Sequence, residues 1–131
     1  MKKIFLLLLT ILFLCWTIRP TKQDVYSELV KVNTVNPTIA LKIAILESSL
    51  KNNNLFGFRA NIKYFKFKTW QESVKYFKKW EDTRYYIHLS KYHSKDSCNY
   101  YHFLQSQGYV DGKPFSKANV IYVNNLKKIK I

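Results

Sequence analysis

From Asn36 to Leu50 the chain runs NPTIALKIAILESSL, and only Thr38 and Lys42 interrupt the apolar residues before Glu47. Asn36 can cap a helix here, and Pro37 suits its first turn, where the missing N–H is not needed. Ile39, Ala40, Leu41, Ile43, Ala44, Ile45, Leu46 and Leu50 leave a thin polar stripe, so the spacing predicts a buried helix. The rest of a chain this size must pack around it. Glu47 lies at the helix C-terminus, where the local dipole is negative; if the position is also buried, both effects raise its pKa. A carboxyl group that holds its proton towards neutral pH suits general acid catalysis. The alternative is a solvated glutamate on an exposed last turn, with no role.

Around this helix the residues form two motifs. Ala44-Ile45-Leu46-Glu47-Ser48 is followed closely by Asn53-Asn54-Leu55-Phe56-Gly57. Together they resemble the core motif of the glucosaminidases of glycoside hydrolase family 73, which include flagellar-type peptidoglycan hydrolases and endo-β-N-acetylglucosaminidases. In that family a helix ends in Glu-Ser or Glu-Thr, and an Asn-Asn-Leu-Phe-Gly turn opens a small β-lobe beside a cleft. The resemblance implies a mainly α, lysozyme-like α+β domain with Glu47 as catalytic acid. The family has a longer segment between the two motifs, where this chain has only Ser48 to Asn52. Further on, Thr69 to Phe77 resembles the family's segment after the β-lobe. Gly108-Tyr109-Val110-Asp111 and Tyr122-Val123-Asn124-Asn125-Leu126 resemble its Gly-Tyr-Ala-Thr-Asp-Pro…Tyr-Ala-x-Lys-Leu close, with Gly112 to Asn119 as an insertion. The resemblance spans about Asn36 to the C-terminus, and it implies a polar role for Tyr109 near Glu47.

The chain has 131 residues, enough for one small domain with a real core. Its 22 Lys and Arg against 8 Asp and Glu give a formal charge of +14. Such a surface favours a polyanion: nucleic acid, an anionic membrane face or a cell wall. A codon bias towards Lys, Asn, Ile and Tyr would give the same charge, so charge alone does not choose. Lys2-Lys3 before the apolar run Ile4 to Ile18 has the form of a signal peptide. No clear cleavage site follows, so residues 1–19 read as a signal peptide or an uncleaved signal anchor, with membrane anchorage through residues 4–18, and 20–131 as the domain. Export to the periplasm, the cell envelope or the outside disfavours nucleic acid as partner. Cys15 lacks the small preceding residues of a lipobox, and Cys98 is the one cysteine beyond that segment, so the mature domain has no disulfide. His88, His93 and His102 fall at no tight metal-ligand spacing, and neither a metal nor a cofactor is expected.

Along the remaining chain, Thr21 to Val35 reads as a first helix, and Arg59 to Lys68 as one or two short strands around Tyr64, Phe65 and Phe67. Thr69 and Glu72 have the form of a capping box opening a helix to about Trp80, with Trp70, Val74 and Phe77 on its apolar face. Arg84 to Lys91 continues as helix or loop, and Tyr92 to Ser97 as a turn. Asn99 to Gln107 reads as a helix ended by Gly108, and Val120 to Ile131 as a last, basic helix. A cleft for sugar would draw on Asn54, Phe56, Gly57, Phe58, Trp70, Tyr101 and Tyr122, with aromatic rings stacking on sugar faces. Several of those rings could equally be core, since aromatics make up 17% of the chain. Glycan cleavage usually needs two carboxylates, but Gly57 to Lys68 contains no Asp or Glu. Either the substrate's own N-acetyl group assists, or the reaction is that of a lytic transglycosylase. A third reading is a catalytically degenerate wall-binding or assembly module. The reading favoured here is a peptidoglycan hydrolase that cuts the β-1,4 bond after N-acetylglucosamine.

Overall fold

The computed structural model describes residues 19–92 and 99–131. The run up to Ile18 that reads as an export signal, His93, most of the expected turn from Tyr92 to Ser97, and both cysteines lie outside the described residues. Helix α1 (Lys22–Lys31) opens with a reciprocal capping box: Asp24 N–H donates to Thr21 Oγ1 at 3.1 Å, and Thr21 N–H donates to Asp24 Oδ2 at 2.8 Å. It buries Val25 and Leu29. It stops short of the predicted Val35 because Asn33 turns left-handed (φ 60°), and Thr34 returns both its N–H and its hydroxyl to the Leu29 carbonyl.

Helix α2 (Pro37–Ser48) is the predicted apolar helix. Asn36 Oδ1 accepts from Ile39 N–H at 2.9 Å, and Pro37 occupies the first turn. Ile39, Ala40, Leu41, Ile43 and Ala44 are buried, and α2 packs between α1 and α5 (Lys117–Lys128). Its end is abrupt, because Ser49 and Leu50 are both left-handed (φ 50° and 57°). Such a conformation costs a non-glycine residue about 1–2 kcal/mol. Burial of Leu50 and the bond from Leu50 N–H to Ser48 Oγ at 3.1 Å offset that cost.

The β-lobe is a two-stranded antiparallel hairpin, β1 (Arg59–Ala60) and β2 (Lys63–Tyr64), pairing Arg59 with Tyr64 and Ala60 with Lys63. So short a ribbon is not stable by itself. Asn54 ties it down: its Oδ1 accepts from Phe58 N–H at 2.9 Å, and its Nδ2 donates to the carbonyls of Phe58 (2.7 Å) and Phe65 (3.2 Å). Asn53 Nδ2 donates to the Lys68 carbonyl at 2.9 Å, fastening the far end.

Helix α3 (Trp70–Lys91) is twice as long as its predicted run to Trp80. Thr69 caps it, but the Glu72 carboxylate accepts from Lys68 N–H at 2.8 Å, one residue before the place a reciprocal capping box would use. Its buried face continues from Val74 and Phe77 through Glu81 to His88. Polar residues on that face hide the helical period from a hydrophobicity reading. Helix α4 (Tyr100–Ser106), capped by Asn99, is followed by Gly108 at φ 61°; there a Cβ would lie 2.5 Å from the Lys113 nitrogen. Helix α5 starts at Lys117, three residues before the predicted Val120, because Ser116 caps it, and ends at Lys128.

Candidate active site

Glu47 lies on the last turn of α2, facing the β-lobe, with the residue as a whole open to solvent. Its carboxyl group is nevertheless held. Tyr122, one turn beyond the buried Asn119 on α5, donates its hydroxyl to Glu47 Oε1 at 2.7 Å. Glu47 Oε2 rests against Gly57, where an added Cβ would lie 2.6 Å from that oxygen. Gly57 also has φ 65°, so two independent constraints favour glycine there. Partial burial pushes the Glu47 pKa above the usual carboxylate value, and the Tyr122 hydroxyl and the Arg59 cation act in the opposite sense. Desolvation is the largest cause, and both opposing groups prefer the anion.

Two recesses meet at this carboxyl. The larger, about 540 Å³, is lined by Asn52, Asn53, Asn54, Phe65, Lys66 and Phe67. The smaller, about 190 Å³, is lined by Phe56, Phe58, Arg59, Tyr109 and Val110. Glu47, Gly57 and Tyr64 line both. The larger volume falls within the range of small-ligand sites. Glu47 is the one carboxylate among the residues lining either recess.

The residues named for a sugar cleft separate into groups. Gly57 and Phe58 are at the cleft, Phe58 packed edge-on against Tyr76 with ring centroids 4.7 Å apart. Asn54 lines the larger recess, but its amide is occupied in holding the β-lobe, so its contribution is architectural. The Phe56 ring is buried and stacked on Phe77 at 4.3 Å, which makes it core. Its carbonyl oxygen accepts from the Tyr109 hydroxyl at 3.3 Å. Tyr109 thus bonds the Phe56 backbone, while its ring lies 5.7 Å from that of Tyr122. Burial raises both phenol pKa values well above ten, so both stay protonated donors. Trp70 and Tyr101 line neither recess: both pack against the core, and Lys127 sits over the Tyr101 ring. A helix period assigns them to faces of α3 and α4 but does not say which face looks at Glu47.

Sequence reasoning passed over Tyr64, Arg59 and Lys66 as cleft residues. Alternation in β2 marks Tyr64 as facing one side, but the side depends on the hairpin's seat. It also passed over Glu81, placed beyond the predicted end of its helix. Glu81 is fully buried on α3, accepting from Val35 N–H at 2.9 Å and from the Tyr100 hydroxyl at 2.6 Å. Reading the histidines only for metal-ligand spacing does not foresee that His88 is buried, with its Nε2 3.0 Å from His102 Nδ1. Among the described residues no cluster of three or more His, Cys, Asp or Glu could hold a metal ion. No family model, curated protein or solved structure matches the chain.

Proposed function

We propose that this chain is a peptidoglycan hydrolase of lysozyme-like build, an exported or membrane-anchored endo-β-N-acetylglucosaminidase with Glu47 as general acid. One observation carries the reading: a single carboxyl, raised in pKa by partial burial, sits where two open recesses meet. A glycan strand laid across both recesses would bring its bridging oxygen to Glu47, and the protonated carboxyl would donate to that oxygen as the bond breaks. Tyr122, bonded to Oε1, would leave Oε2 to face the substrate. The motif resemblance at Ala44–Ser48 and Asn53–Gly57 supplies the substrate class.

A second reading has its own support. A hydrolase that activates water with a second carboxylate needs that group in the cleft, and the lining residues offer none beside Glu47. A lytic transglycosylase needs no such group, because the sugar's own hydroxyl attacks. Digestion of purified peptidoglycan, with mass spectrometry of the fragments, separates the readings. Reducing-end N-acetylglucosamine is the result expected. Reducing-end N-acetylmuramic acid would move the cut to the other bond, and 1,6-anhydro ends would establish the transglycosylase. No product at all would leave a wall-binding module that kept the fold.

A further inference from the structure

The cleft has an unusual charge balance for a site built around an acid. Arg59 lines the smaller recess and Lys66 the larger, and both are exposed. Among the described residues neither cation makes a hydrogen bond or an ion pair. The same holds for most of the described basic residues, Lys31 and Lys78 being the ones paired with carboxylates. What sets Arg59 and Lys66 apart is their place in the recess walls. Each side of Glu47 therefore presents an unpaired cation, and the walls between them are aromatic or amide. A neutral chitin-type strand, made only of N-acetylglucosamine, offers such cations hydrogen-bond acceptors but no anion. A sugar acid offers a carboxylate on a short arm from the ring, the group that a guanidinium fork matches best.

Resting on the hydrolase reading, we propose that this cleft selects glycans bearing carboxylates next to the scissile bond, with Arg59 and Lys66 as the residues that read them. In peptidoglycan the carboxylate would be the free lactyl group of a peptide-stripped strand or an acid group of the stem peptide. Selection of this kind has a consequence for the acid itself. The charged and titratable groups that face Glu47 are Tyr122 from α5, Tyr109 from the loop before it, Arg59 from β1, Tyr64 from β2 and Lys66 just beyond it. Of the two cations, Arg59 is the one that holds the Glu47 pKa down. A substrate carboxylate seated on Arg59 would cancel that effect and let Glu47 keep its proton to higher pH. The correct substrate would then prime its own acid.

The test uses the full chain and three probes: peptide-free glycan strands, peptide-bearing strands, and the neutral N-acetylglucosamine hexamer. Binding is measured on Glu47→Gln, so that it does not depend on turnover. Charged strands should bind more tightly than the hexamer by roughly tenfold, the scale of one charge-assisted hydrogen bond. Arg59→Gln and Lys66→Gln, each combined with Glu47→Gln, should each reduce that preference. Lys130→Gln, which removes the same charge from an exposed site lining neither recess, should keep it. A preference for peptide-free strands identifies the lactyl carboxylate as the group read, and the reverse identifies the stem peptide. In the active protein, the alkaline limb of the pH profile should lie higher on charged strands than on the hexamer, and Arg59→Gln should bring the two together. Equal binding of hexamer and charged strands would overturn the proposal, as would a loss of preference in Lys130→Gln equal to that in Arg59→Gln. If the preference holds while active protein cuts none of the probes, the hydrolase reading fails and the selective cleft stands.

Discussion

Two glutamates in this domain share one electrostatic fate and differ in everything around it. Burial raises the pKa of Glu47 at the cleft and of Glu81 in the core. At Glu81 both oxygens are occupied, by Val35 N–H and the Tyr100 hydroxyl, and Lys78 stands 3.7 Å away. At Glu47 one oxygen takes Tyr122, and the other lies at a glycine beside open space. A raised pKa is therefore no mark of catalysis unless an oxygen is left for something else to reach. Glu81 joins the turn before α2 to α3 and α4, whereas Glu47 lines two open recesses.

The sharpest way to break the comparison is Glu47→Gln. The amide keeps the shape and loses the proton, so peptidoglycan cleavage should fall by roughly a hundredfold or more, the scale of a lost general acid. Its melting temperature should stay near that of the parent. Turbidity clearing within a few-fold of the parent would remove Glu47 from the chemistry.

Glu81→Ala should do the opposite. It strands the Val35 N–H and the buried Tyr100 hydroxyl, each costing about 1–3 kcal/mol, and chemical denaturation should register the sum. The pH dependence has a definite sign. A carboxyl whose folded pKa is raised binds its proton more tightly when folded, so its contribution is greatest below the unfolded value and declines as pH climbs through the folded one. The stability of the parent relative to Glu81→Gln should accordingly improve on going from pH 7 to pH 4. A difference that is flat with pH would mean that Glu81 is as well solvated by its partners as by water.

Gly57→Ala probes the seat of the catalytic candidate. The new Cβ would need the space of Glu47 Oε2 and a left-handed backbone at once. A loss of about 1–2 kcal/mol is expected from the backbone alone, with a fall in activity as the carboxyl is pushed off its seat. Normal activity in a destabilised variant would show that the carboxyl has room to work elsewhere.

The smallest effects belong to the two tyrosines, and they should differ in kind. Tyr109→Phe loses a bond to the Phe56 carbonyl and should cost about 1 kcal/mol of stability. Tyr122→Phe removes a donor that favours the Glu47 anion, so the Glu47 pKa should rise and the alkaline limb of the pH–rate profile should move up. An unmoved limb would mean that water replaces the hydroxyl.

These contrasts also mark how far the sequence could be read. The cap at Asn36, the apolar α2, the hairpin after Gly57 and the stop at Gly108 are local, each set by a side chain or a backbone angle within a few residues. They were legible for that reason. Helix α3 is legible only as far as about Trp80, with Arg84 to Lys91 reading as helix or loop, because its second half buries Glu81 and His88, whose satisfaction depends on Val35, Tyr100 and His102 far away in sequence. Trp70 and Tyr101 look like sugar platforms by residue type, but only the rotation of their helices determines what they face. Tyr122 is separated from Glu47 by 75 positions, and no spacing rule links a phenol to a carboxyl at that range. Arg59 and Lys66 could have been singled out as cations of a segment, Gly57 to Lys68, with no acids, had the hairpin's seat been known.

Asn119 is buried on the first turn of α5 and reaches back into the preceding loop. Its Nδ2 lies 2.7 Å from Asp111 Oδ1 and 3.1 Å from the Lys113 carbonyl, and its Oδ1 accepts from Val110 N–H at 3.0 Å. That loop begins at Tyr109 and Val110 in the wall of the smaller recess; the helix goes on to Tyr122. One amide therefore ties the recess wall to the helix that carries the Tyr122 hydroxyl. In mechanical terms this side of the cleft turns on a single pivot: a strand pressing on Val110 would bear through Asn119 on the helix that carries Tyr122, and the bulge after Gly112 is pinned to the same point by the bond from Asn119 to the Lys113 carbonyl.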